Sequence, residues 1–207
     1  MKIELYGLSA NVGTSTLAVG LAESLCAHVQ AKPTSKKVHL RSLDYFGDQD
    51  LRSILAWPMN TSSSHDDCLI LDIAENYSPG SEFEYSVTDI GHKYLHRFAD
   101  YAGLSSVAPV KRIGVVEASY VHLARAVRGF GSLAFLDQLI VIRRFDNQAL
   151  TANDVSSVLQ CPVLLTITPD VAVARAIDAG LFSSRIPKYV YELRDSLIGE
   201  TNDCNID

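Results

Sequence analysis

The amino-acid sequence predicts an α/β fold: a doubly wound, mostly parallel sheet with helices on both faces. Three observations predict it. Apolar runs of strand length alternate with segments of helical spacing through most of the chain. The first of these runs opens into a Gly/Ser/Asn loop and then into a helix. The length, 207 residues, suits one such domain and leaves little room for a second. Residues 1–200 are read as that domain and residues 201–207 as a polar C-terminal tail.

The elements follow in order. Lys2 to Leu8 alternates as a strand does, and Gly7 to Gly13 is a loop of small residues. Thr16 to Ala27 carries Leu17, Leu21 and Leu25 at helical spacing. Val38 to Leu43 is a strand, and Asp48 to Trp57 a helix closed by Pro58. After the Ser-rich stretch Asn60 to Asp67 come two more apolar runs, Cys68 to Ile73 and Tyr85 to Ile90. Lys93 to Ala102 reads as a helix. Strand and helix then alternate: Arg112 to Glu117, Val121 to Phe130, Gln138 to Arg143, Thr151 to Leu159, Pro162 to Thr168, and Val171 to Ala179, which Gly180 stops. Tyr189 to Ile198 is the last helix. Ligands of such sheets bind at the carboxyl ends of the strands, so the loops after Leu8, Leu43, Ile73, Ile90 and Arg143 are the places to look.

Composition excludes several classes. Hydrophobic residues make up 47% and charged residues 20%, as in an ordinary globular protein. The net charge of −6 disfavours a surface that coats nucleic acid. The cysteines Cys26, Cys68, Cys161 and Cys204 form no CxxC pair, so zinc and thioredoxin-like readings have no support. The first three lie in or beside apolar runs and read as core residues; Cys204 reads as a free thiol in the tail. Lys2 and Glu4 interrupt the apolar start, unlike a secretory leader. No run approaches the about 18 apolar residues that a membrane-spanning helix needs. A cytoplasmic protein is the default expectation.

The informative segment is Gly7-Leu8-Ser9-Ala10-Asn11-Val12-Gly13-Thr14-Ser15-Thr16. A strand, a small-residue loop and a helix that begins with hydroxyl residues can form a phosphate cradle. Backbone N–H groups converge on the anion, and the helix N-terminus adds partial positive charge. A hydroxyl on the first helical turn can hold Mg²⁺. The strict P-loop pattern asks for Gly-Lys-Ser/Thr, and this chain has Gly13-Thr14-Ser15. By pattern alone, an ordinary turn built from Gly and Ser stands as an equal alternative.

Leu5 to Leu21 resembles the deviant Walker A loop of the ParA/MinD-type P-loop ATPases, whose pattern is Lys-Gly-Gly-Val-Gly-Lys-Thr-Thr. Ser9 falls on the signature lysine, Ala10 and Asn11 replace the glycines, and Val12 and Gly13 match. Thr14 replaces the second lysine, Ser15 falls on the magnesium-binding threonine, and Thr16 matches. Leu43-Asp44-Tyr45-Phe46-Gly47-Asp48 resembles the Asp-x-Asp switch region, with Ser42 at the first aspartate and Asp44 at the second. Pro162 to Asp170, followed by Ala174-Arg175-Ala176-Ile177-Asp178-Ala179-Gly180, resembles the last strand and helix of the TadZ/CpaE pilus-assembly members. The resemblance covers about Met1 to Leu181.

The resemblance implies ATP and Mg²⁺ as cofactors, although a loop without its lysines could bind neither. The nucleotide would meet Ser9 to Thr16. Arg143 lies near the position where the family reads the adenine edge with an asparagine; a solvated strand-end pair, Arg143-Arg144, is the plainer reading. Magnesium would meet Ser15, Asp44 and a Walker B aspartate. Two residues qualify for that last role. Asp72 ends the more hydrophobic run, but Asp89 keeps the family's spacing to the strand at Arg112 and is favoured. Asp44 is also the candidate catalytic residue. His92 reads as a polar helix start. MinD proteins end in a basic amphipathic helix, whereas Glu200, Asp203 and Asp207 here would repel anionic lipid, so the last helix is expected to pack on the core.

Without lysine, efficient hydrolysis is expected to be lost, because electrostatic stabilisation is usually the largest catalytic term. The first functional expectation is therefore a degenerate localisation or assembly factor for a cell-envelope machine such as a Flp/Tad-type pilus. It would work with other proteins of that system and reach the membrane through a partner. The second is an active nucleotide hydrolase that recruits a basic residue such as Arg143 or one from a partner. The third, a chromosome or plasmid partitioning factor, is disfavoured by the acidic charge. A homodimer is an arrangement the resemblance implies, but Ser9 is too short to reach across one as the signature lysine does.

Overall fold

Strand β1 (Lys2–Gly7) occupies the middle of the sheet, and everything that follows is arranged around its carboxyl end. The structure, a computed structural model, describes residues 1–33, 36–43, 47–55, 68–72, 83–92, 109–130, 133–145 and 147–203. After β1 come α1 (Thr14–Gln30), β2 (Lys37–Ser42), α2 (Gly47–Leu55), β3 (Leu69–Asp72) and β4 (Phe83–Gly91). The second half holds β5 (Val110–Glu117), α3 (Tyr120–Phe130), β6 (Gln138–Ile142), α4 (Ala152–Leu159), β7 (Val163–Ile167), α5 (Val171–Asp178) and α6 (Lys188–Asp203).

Among the described residues the strands form one seven-stranded sheet in the order β3-β2-β4-β1-β5-β6-β7, and every neighbouring pair runs parallel. Parallel strands are covered on both faces and read as continuous apolar runs. That is why β6 and the second half of β5, from Ile113 to Val116, are legible as such runs. On one face α1 buries Leu17, Leu21 and Leu25, spaced four residues apart, against the sheet and against Leu193 and Leu197 of α6. On the other, Leu123 and Ala126 of α3 and Val155 and Leu159 of α4 close over Leu139 and Val141. Each fully buried leucine contributes about 1.5–3 kcal/mol. The doubly wound, parallel architecture expected from the sequence is present.

Local signals account for the helix ends. Thr151 caps α4 in a reciprocal capping box with Asp154. Asp170 caps α5 by accepting from the Ala172 N–H. Helix α1 starts at Thr14, two residues earlier than its periodicity suggests, because Gly13 stands in the left-handed region (φ 81°) and turns the chain directly into the helix. Helix α6 buries Val190, Leu193 and Leu197 completely, as core packing requires, and continues through Asp203. Cys26, Cys68 and Cys161 are buried free thiols. Burial pushes the Cys161 thiol above its ordinary range, which keeps it protonated and unreactive. Asp44, the segment Asn60 to Asp67, the expected helix Lys93 to Ala102 and Cys204 lie outside the described residues.

Candidate phosphate-binding site

The loop between β1 and α1 is held from below. Leu8 N–H donates to the Val115 carbonyl (2.9 Å), extending the β1–β5 ladder by one step past Gly7. Gly7 is in close contact with the helix that follows: a Cβ there would lie 2.8 Å from Thr14 Oγ1 and 3.4 Å from the Ser9 carbonyl oxygen. Asn11 (φ 59°) and Gly13 (φ 81°) are both left-handed and curl the loop back over the end of β1.

Helix α1 has no side-chain cap and no acidic residue in its first turn. Its first N–H groups therefore keep their unspent donors and their share of the helix dipole. Ser9 is buried (5% exposed), and its Oγ has no hydrogen-bond partner among the described residues. An unsatisfied buried hydroxyl costs about 1–3 kcal/mol. A loop of N–H donors that also holds such a hydroxyl fits a phosphate group.

Ser15 and Asp89 meet beside the loop. Ser15 Oγ donates to Asp89 Oδ2 at 2.7 Å, and Gly91 N–H donates to Asp89 Oδ1 at 3.0 Å. Asp89 is buried (1% exposed) at the end of β4, directly opposite Leu5 of β1 in the register. The other candidate, Asp72, ends β3 at the edge of the sheet, with β2 and β4 between it and β1. The sheet order thus brings Asp89, and not Asp72, to the loop. A hydroxyl next to a carboxylate suits Mg²⁺, which prefers oxygen ligands. Among the described residues no group of three or more His, Cys, Asp or Glu gathers as a transition-metal site would. His92 follows β4, half-buried.

Arg143 leaves β6, donating its N–H to the Ile167 carbonyl at 2.8 Å. The side chain seen to reach the loop belongs to its neighbour. Arg144 Nε donates to Glu117 Oε2 at 2.6 Å, and Nη2 donates to the Asn11 carbonyl at 3.3 Å. The sequence points to Arg143, with a solvated Arg143-Arg144 pair as the plainer reading; neither puts Arg144 on Glu117. The available signal was Glu117 itself, a carboxylate closing an apolar strand at the carboxyl edge.

A second feature was not foreseen. A cavity of about 220 Å³ opens between the start of α1, the ends of β6 and β7, and α5, with Val12, Thr16, Ile142, Ile167, Val173 and Tyr189 in its wall. Burial, with the Asp170 carboxylate adding to it, pushes the Tyr189 hydroxyl up to about 12, so it stays protonated. The cavity is below the about 300–1,000 Å³ of whole ligand sites and suits one flat ring system.

No protein-family model matches the sequence, and no curated protein does. Solved structures do. MinD of Aquifex aeolicus superposes with a TM-score of 0.71 at 17% identity, over 96% of this chain and 96% of its own. The chain has the ParA/MinD ATPase fold. A ParA family ATPase from Chlorobium tepidum gives a TM-score of 0.66 at 16% identity, covering 95% and 97%. The septum site-determining protein MinD of Pyrococcus horikoshii, solved with Mg-ADP, gives 0.65 at 13% identity, covering 98% and 96%. Within the described residues of this ParA/MinD fold, no helix is long and apolar enough to cross a membrane.

Proposed function

We propose that this protein is a ParA/MinD-like positioning or assembly factor that binds a nucleoside triphosphate through its phosphates and turns it over slowly or not at all. One observation carries the reading. The loop turns through left-handed Asn11 and Gly13 into an uncapped helix, with Ser15 bonded to Asp89 beside it; this supports a phosphate cradle, and by the resemblance Ser9 and Thr14 fall where the family's lysines would be. Backbone N–H groups, the α1 dipole and a Mg²⁺ ion held near Ser15 and Asp89 would bind the phosphates. The charge that a lysine adds as the transition state develops is missing, and that charge supports hydrolysis more than binding.

The cell-envelope role, with a Flp/Tad-type pilus as the leading case, rests on the TadZ/CpaE-like run from Pro162 to Gly180. In this reading the protein works in the cytoplasm and reaches the envelope through protein partners. Partitioning of DNA is the competing role for this fold, and the net charge of −6 weighs against it. A steady-state ATPase assay tests the central part. Turnover far below about 1 per second is expected. A rate in the ordinary enzyme range that Asp89→Asn abolishes would overturn it.

A further inference from the structure

We propose that Arg144 is the cation of the phosphate site: Glu117 holds its guanidinium against the loop, where it supplies charge to the terminal phosphates of a nucleoside triphosphate. The inference rests on the nucleotide-binding reading above and goes beyond it by naming a residue that no Walker pattern contains.

Three observations support it. Glu117 ends β5 next to β1, and its side chain is only 9% exposed, while that of Arg144 is 48% exposed. The buried carboxylate therefore anchors the guanidinium, and about half of the arginine side chain remains open. On its other side Glu117 Oε1 faces His122, whose Nδ1 lies 3.8 Å away and is bonded to Ser119 Oγ at 2.6 Å. The last contact is the informative one. An ion pair that only tied β5 to the loop after β6 would have no need to touch the phosphate loop. Arg144 Nη2 reaches the carbonyl of Asn11, one of the loop's two left-handed residues.

That contact is long, at 3.3 Å, and joins a charged donor to a neutral acceptor. A phosphate oxygen is a stronger acceptor for a guanidinium, whose planar fork of N–H donors suits it. Phosphate would thus replace the Asn11 carbonyl while the 2.6 Å bond to Glu117 stays in place. The pairing also removes a problem: an uncompensated Glu117 beside the loop would repel a polyanion, and Arg144 neutralises it.

Wild type, Arg144→Gln and Arg144→Lys are titrated calorimetrically with Mg²⁺ and a non-hydrolysable ATP analogue, and separately with pyrophosphate, at low and high salt. Arg144→Gln is expected to weaken both ligands by about ten- to a hundredfold, the equivalent of one charge-assisted contact. Its salt dependence should be shallower than that of the wild type, and Arg144→Lys should recover part of the loss. Wild-type affinity in Arg144→Gln would overturn the inference alone. So would a loss with unchanged salt dependence that Lys does not relieve, since that marks a brace for the loop. A wild type that binds neither ligand would overturn the nucleotide-binding reading, and this inference with it.

Discussion

The two ends of the candidate site differ in what they have kept. The phosphate end is mostly backbone: Gly7, Asn11 and Gly13 shape the loop, and Ser9 and Thr14, not lysines, stand on it. The cavity end is made of ordinary apolar side chains, Val12, Ile142, Ile167 and Val173, drawn from four separate elements. Loop shape is enforced by packing. A side chain at Gly7 would collide with Thr14, and the left-handed turn at Gly13 is needed to enter α1. Neither lysine is needed for folding. Packing can therefore hold the shape of this loop without a lysine in it.

The comparison can be broken at either end. The largest effect is expected at Gly7. In Gly7→Val the new side chain would press on Thr14 Oγ1 and on the Ser9 backbone. Overpacking of this kind costs about 1–3 kcal/mol, which a urea titration reads as a lower midpoint, and nucleotide binding should disappear with it. Unchanged stability and binding would show that the loop does not depend on this contact. A smaller effect is expected at the cavity. Ala174 lines it from the exposed side of α5, so Ala174→Phe should fill the cavity without disturbing the core. Affinity for an ATP analogue should fall about tenfold, or about 1.4 kcal/mol, and affinity for pyrophosphate should not change. A parallel loss of both ligands would mean that the two ends are not separable; no loss of either would mean that no part of the nucleotide enters the cavity.

Much of the fold was legible because its signals are local. The second half of β5 and nearly all of β6 are buried and stand out as apolar runs, and Leu17, Leu21 and Leu25 mark α1. The site was legible only in part, because its geometry depends on sheet order. Asp72 and Asp89 both end apolar runs and look alike in one dimension. They are distinguished once β4, and not β3, lies next to β1. The same holds for Arg143 and Arg144: they are adjacent at a strand end, and nothing in their identities says which one meets Glu117. The cavity needs α1, β6, β7 and α5 together, so no single stretch of sequence announces it.

The most direct test of a cradle without its lysine is to restore the charge at Thr14. Wild type and Thr14→Lys would be titrated calorimetrically with a non-hydrolysable ATP analogue in the presence of Mg²⁺. Thr14 follows Gly13 on the first turn of α1, and the resemblance puts the family's second lysine there. If the loop is a phosphate cradle, the wild type binds weakly and Thr14→Lys binds about ten- to a hundredfold tighter, as one added charge-assisted contact requires. Undetectable binding in both proteins would contradict the account and reduce the loop to an ordinary turn of an α/β fold.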